Sequence, residues 1–116
     1  MDVMDNKLKR SIADPKKCLR RYGAEGAKKL RLRLEALEAA ESLADFWPPY
    51  SGPERCHELK ANLAGIYSMD AKHPLRLLLR STENSDTSGD QDLTDGEQRW
   101  ATIKSVELIG VEDTHD

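Results

Sequence analysis

Three histidines, two cysteines and an arginine lodged in an apolar run are the side chains of this 116-residue chain best suited to chemistry. His57 stands in Arg55-Cys56-His57-Glu58-Leu59-Lys60, Arg76 interrupts the run from Leu75 to Leu79, and His115 lies in the terminal Asp113-Thr114-His115-Asp116. Imidazole titrates nearest neutrality, so it can give or take a proton at working pH. A guanidinium matches two phosphate oxygens in a planar fork. Two histidines and an arginine therefore hold what metal-free cleavage of a phosphodiester needs. These are a base for the attacking hydroxyl, an acid for the departing oxygen, and a cation for the charge that develops on the phosphate. Plainer roles suit the same residues: a hydrogen-bonded histidine beside a strand for His57, a chain-end residue for His115 and for Asp113, an internal salt bridge for Arg76. His73, next to Pro74, reads as a turn residue.

The histidines and cysteines match no metal-ligand spacing, so neither a metal nor another cofactor is expected. Cys18 and Cys56 sit in unrelated contexts and make no disulfide framework, which fits reduced thiols in the cytoplasm. Cys18 falls among apolar helix positions, and Cys56 is placed for burial in a strand. No apolar stretch reaches the length of a membrane span, and the first ten residues lack the apolar centre of an export signal, so no membrane partner is expected.

Charge is segregated. The net charge is -3, yet residues 1–60 hold 13 Lys and Arg against 10 Asp and Glu, while residues 61–116 hold 5 against 11. Residues 16–33 carry eight basic side chains opposed only by Glu25, and residues 83–97 carry six acids and no base. A local basic patch can act on a polyanion despite a negative total, because salt screens charges more than about 10 Å away. Lys16, Lys17, Arg20, Arg21, Lys28, Lys29, Arg31 and Arg33 are candidates for such contacts, with Arg55 and Lys60 nearer His57. A solvated helix face, or a surface that holds an acidic partner, accounts for the same run.

The elements that must position these groups follow from local pattern. Asp14-Pro15 is a helix start, with Asp as cap and Pro at the first helical position. Residues 6–13 suit a short helix, and Gly23 stops the segment begun at Pro15. Ala27, Leu30, Leu34 and Leu37 give residues 24–41 an apolar helical face. Two helices meeting at Gly23 make a helical hairpin. Trp47-Pro48-Pro49-Tyr50-Ser51-Gly52-Pro53 is a rigid connection. Beyond it the period changes to short strands around His57 to Ala61, residues 63–69, residues 75–80 and residues 100–111, with residues 70–73 as a hairpin loop. Residues 81–98 read as a flexible acidic surface loop. The expectation is one α+β domain over residues 1–116: an N-terminal helical hairpin packed on a small antiparallel sheet of three or four strands.

Arg55-Cys56-His57-Glu58-Leu59-Lys60, Gly65-Ile66-Tyr67-Ser68, Leu75-Arg76-Leu77-Leu78 and Asp113-Thr114-His115, together with the opening Asp14-Pro15-Lys16-Lys17 and Glu41-Ser42-Leu43-Ala44-Asp45, resemble the host-inhibition-of-growth (HigB-like) toxin branch of the RelE/ParE superfamily, sometimes called plasmid-maintenance killer proteins. The resemblance runs over nearly the whole chain. It implies a short N-terminal strand within residues 3–7, two helices and an antiparallel sheet. It implies a toxin of a type II toxin–antitoxin pair, a ribosome-dependent mRNA endoribonuclease held in check by a cognate helix-turn-helix antitoxin. By the resemblance the catalytic set falls on His57, Arg76, Asp113 and His115. Thr114 stands where that branch usually has tyrosine, which points to the alternative: a catalytically degenerate protein of the same fold that binds an antitoxin or nucleic acid without cleaving it. Inhibition of DNA gyrase, typical of another branch, does not depend on paired histidines.

Overall fold

A computed structural model describes residues 1–59, 65–82 and 96–113. The helical half forms where the capping chemistry directs it. Asn6 accepts a hydrogen bond from Lys9 N–H and opens helix α1 (Lys7–Ala13). Asp14 accepts from the N–H groups of Lys16 and Lys17 at 3.0 and 3.2 Å, with Pro15 as the first residue of α2 (Pro15–Ala39). The expected break at Gly23 is present: its φ of 78° and ψ of 172° bend α2 into two segments. Gly23 takes up the positive φ that a side chain disfavours. Cys18, Ala27, Leu30, Leu34 and Leu37 of α2 are buried, and Ile12 of α1 joins them. Ser42 caps a 3-10 turn, Leu43–Phe46, that leads into the proline-rich connection.

The sheet has five strands: β1 (Asp2–Val3), β2 (His57–Glu58), β3 (Ile66–Asp70), β4 (Leu75–Ser81) and β5 (Ser105–Asp113), in the order β1-β5-β4-β3-β2. β1 runs parallel to β5 and every other pairing is antiparallel. Side chains alternate between the two faces of a strand. Tyr67, Met69, Leu77, Leu79, Val106 and Leu108 are buried in the core with the helices. Ser68, Asp70, Arg76, Leu78 and Arg80 take the opposite face. Register places Ser68 beside His57 and Leu78, and Asp70 beside Arg76. The helices thus cover one face, while the other is closed over Ser68 and open toward Arg76 and Arg80, an α+β arrangement.

Three expectations change. The sheet is mixed and five-stranded, because residues 2 and 3 add a parallel edge to β5. Residues 100–111 do not form one strand: Trp100 belongs to a short helix, α3 (Gly96–Ala101), and β5 begins at Ser105. The Trp100 indole is buried edge-on to Trp47 and Tyr67, with centroid distances of 5.0 and 5.5 Å, and this packing outweighs the local alternation. The acidic segment 81–98 is shorter than expected at both ends, since Ser81 completes β4 and Gly96 opens α3. Its centre, residues 83–95, lies outside the described residues. No helix among the described residues is long and apolar enough to cross a membrane.

Candidate functional site

The rigid connection before β2 folds back on the sheet and aims two side chains at its open face. Tyr50 and Arg55 both have left-handed backbones, with φ of 66° and 46°. Such conformations cost a non-glycine residue about 1–3 kcal/mol and persist where surrounding bonds hold them. Here Tyr50 N–H donates to Cys56 O at 3.1 Å, Arg55 N–H to Ser51 O at 3.1 Å, and Asp70 N–H to Glu54 O at 2.7 Å. Arg33 anchors the same region from the helix layer. Its Nε donates to Asp70 O at 2.6 Å and a terminal nitrogen to Pro53 O at 3.3 Å. Only 6% of Arg33 is exposed, so it is a buried clamp rather than part of the solvent-facing basic run.

His57 is half-buried on edge strand β2, with its ring stacked on Tyr50 at 4.2 Å and 16°. Its Nδ1 lies 3.0 Å from Arg55 O. A carbonyl oxygen only accepts, so Nδ1 carries the proton and the neutral ring keeps its lone pair on Nε2. That is the tautomer a general base needs. A recess of about 230 Å³ adjoins the stack, walled by Trp47, Pro49, Tyr50, His57, Glu58 and Arg99. Glu58 and Arg99 pair across it at 2.9 Å. Ser68, the cross-strand partner of His57, is fully buried, and its hydroxyl has no hydrogen-bond partner among the described residues.

Arg55 and Arg76 meet at Asp70. Arg55 Nε is 3.3 Å from one carboxylate oxygen and Arg76 Nε is 3.7 Å from the other. The Arg55 guanidinium also lies 5.2 Å from the centre of the Tyr50 ring. Further along the face Arg80 and Glu107 pair at 2.8 Å, and that hydrogen bond holds the Glu107 carboxyl below its usual pKa. Cys56 precedes His57 but is fully buried, and burial pushes its thiol up to about 12, which leaves no thiolate for nucleophilic work.

Asp113 ends β5 opposite Leu75, three strands from β2, which puts it on the order of 14 Å from His57 across the sheet alone. Lys60, Thr114 and His115 lie outside the described residues. Lys16, Lys17, Arg20, Arg21 and Lys28 are exposed on the helix layer, with Lys29 and Arg31 half-buried there. That layer is on the far side of the sheet from His57 and Arg76. Two larger clefts, about 420 and 470 Å³, run beside Arg21, Tyr22 and Val111; the first is also lined by His73 and Asp113, and His57 lines neither. Among the described residues no group of histidines, cysteines and carboxylates is arranged to hold a metal.

Tyr50, Ser68 and Asp70 join the site without having been singled out in the sequence. The one local signal was an aromatic residue inside the Pro-rich connection seven positions before His57. Compared with protein-family models, curated proteins and solved structures, the chain matches none.

Proposed function

We propose that this protein binds single-stranded RNA on the open face of its sheet and cleaves it there, as a ribosome-dependent mRNA endoribonuclease toxin of the RelE/ParE kind. The observation that carries the reading is His57: its Nδ1 is engaged by Arg55 O, which leaves Nε2 of the neutral ring to take a proton, the ring borders an aromatic recess, and two guanidiniums meet at Asp70 on the neighbouring strand. A base stacks against the Tyr50 side of the recess, since aromatic rings hold bases without regard to sequence. Arg55 and Arg76 take the adjoining phosphate. His57 Nε2 removes the 2′-hydroxyl proton, the 2′-oxygen attacks phosphorus, and the bond to the 5′-oxygen breaks to leave a 2′,3′-cyclic phosphate. The proton for the 5′-oxygen comes from a second acid, the role the resemblance gives to His115, with Asp113 holding the tail. The order of elements, a short strand and helices followed by antiparallel strands, supports the RelE/ParE resemblance. A helix-turn-helix antitoxin and the ribosome are the partners this reading brings.

The specific observation favouring the second reading, a binding protein that does not cleave, is Asp70, which partly neutralises both arginines. Induced expression of wild type and His57→Ala in a bacterial host, with mRNA 5′ ends mapped, separates the two. In-frame cuts and arrested growth that vanish in His57→Ala support the nuclease. Intact mRNA and normal growth with well-folded wild-type protein leave only the binding role.

A further inference from the structure

We propose that Arg55 and Arg76 form a phosphate-binding site that the Asp70 carboxylate fills in the free protein, so that Asp70 sets how tightly the open face holds a phosphodiester. The inference deepens the RNA-binding reading above and rests on it for the identity of the natural ligand.

One carboxylate bridges two guanidiniums, and it does so loosely. The separations of 3.3 and 3.7 Å exceed the 2.7–2.9 Å of a good charge-assisted hydrogen bond. Each guanidinium comes nearest the carboxylate through Nε, and each also carries two terminal nitrogens. Those nitrogens are the fork that grips phosphate oxygens. Arg55 and Arg76 side chains remain 53% and 43% exposed, and Asp70 32%. A small recess of about 60 Å³ flanks Asp70 and Arg76, walled also by His73 and Pro74 and large enough for roughly two waters.

The carboxylate is not needed to hold the end of β3. The Asp70 N–H already donates to Glu54 O, and the Asp70 carbonyl accepts from buried Arg33. Exposed ion pairs contribute little to stability, so displacing this one is easy. What the carboxylate does supply is a negative charge on the order of 5 Å from an arriving phosphate. Coulomb's law in water-like surroundings makes that repulsion worth about fourfold in affinity, and more where the site is partly desolvated. Glu112, opposite Arg76 on β5, is exposed and adds a weaker repulsion of the same sign.

The test uses the full chain as wild type, Asp70→Asn, and Asp70→Asn with Arg76→Ala. Inorganic phosphate is titrated by NMR, following the arginine Nε–H signals, and a fluorescent single-stranded pentaribonucleotide by anisotropy. The expected result is that Asp70→Asn binds phosphate about fourfold or more tightly than wild type and that Arg76→Ala abolishes the gain. Phosphate binding that is unchanged or weaker in folded Asp70→Asn overturns the inference. Should Asp70→Asn not fold, Asp70→Ser gives the same comparison. Tighter phosphate binding with no affinity for the pentaribonucleotide in any variant keeps the anion site and removes RNA as its ligand.

Discussion

Tyr50 lies parallel to His57, their ring centres 4.2 Å apart, although the two residues are separated by a Gly-Pro turn and Tyr50 itself has a left-handed backbone. The pairing leaves Tyr50 52% exposed, so the ring supports the imidazole and still offers surface to a ligand. Replacing a stacking aromatic costs about 1–3 kcal/mol per base in single-strand binders. Tyr50→Ala is therefore expected to weaken pentaribonucleotide binding at least fivefold by anisotropy, with the far-UV spectrum unchanged, while Tyr50→Phe stays within about twofold. Equal affinity for all three proteins would place the RNA away from the stack.

Arg33 links the helix layer to the loop that carries Arg55. It is buried, and it donates to two backbone carbonyls. Hydrogen bonds from a charged donor contribute about 1.5–3 kcal/mol, and the carbonyls left behind would be unsatisfied. Arg33→Met is expected to lower unfolding stability by about 2–4 kcal/mol in urea titration. Arg33→Lys restores only part of it, because a single ammonium does not span both carbonyls. A loss under about 0.5 kcal/mol would show that the clamp is not what fixes the loop.

Much of the frame was readable from local rules. The Asp14-Pro15 cap, the Gly23 break, the buried face from Ala27 to Leu37 and the strand in residues 75–80 all rest on interactions within a few positions, and each is present. What escaped depends on distant contacts. Trp100 sits in a helix because Trp47 and Tyr67 close around it. Arg33 looks like its basic neighbours until α2 is laid against the end of β3. Asp70 reads as a hairpin residue, and only sheet register brings Arg76 beside it while loop closure brings Arg55. His57 was legible by residue type, but its tautomer comes from the backbone of Arg55.

Gly96 opens α3 where a side chain has no room. A Cβ there would lie 2.6 Å from Cη2 and 3.0 Å from Cζ3 of Trp47, atoms of a rigid ring that also packs on Trp100. Overpacking of this kind typically costs about 1–3 kcal/mol and outweighs the helix preference of alanine, worth about 1 kcal/mol. Gly96→Ala is expected to destabilise the protein and shift its tryptophan fluorescence. A stabilised variant would mean that Trp47 moves aside freely.

Cys56 and Tyr67 should make the protein sensitive to alkali. Burial raises the Cys56 thiol from 9.0 to about 12 and the Tyr67 phenol from 10.0 to about 12, with Glu58 adding to the second. Both native pKa values are raised, so the stability tied to them is fully present below pH 9.0 and is lost as pH climbs toward 12. Each group contributes a slope of about 1.4 kcal/mol per pH unit once the unfolded chain ionises. Burial raises the Cys18 thiol from 9.0 as well, so urea midpoints followed against pH should begin to fall near pH 9 in wild type and nearer pH 10 only when Cys18→Ala is combined with Cys56→Ala. An onset at the same pH in both proteins would assign the effect to other groups.

The basic run on α2 and the His57 corner occupy opposite sides of the sheet, and this separates two ways of holding RNA. Lys16, Lys17, Arg20 and Arg21 are exposed, and none has a carboxylate within ion-pair distance among the described residues. A five-nucleotide strand seated at Tyr50 and His57 is expected to stay on their side of the sheet, and at about 0.15 M salt the field of the α2 cations is screened over roughly 8 Å. Replacing all four with glutamine is expected to change pentaribonucleotide affinity by less than about twofold. A strand long enough to turn the sheet edge should behave differently. For every phosphate that a removed lysine or arginine no longer neutralises, the salt slope of single-strand binding becomes shallower by about 0.7. Anisotropy with a 5-mer and a 20-mer across a salt series distinguishes the cases. Weakening confined to the 20-mer makes α2 a separate, sequence-indifferent track, whereas equal weakening of both would move the short strand's seat onto the helix layer and away from His57.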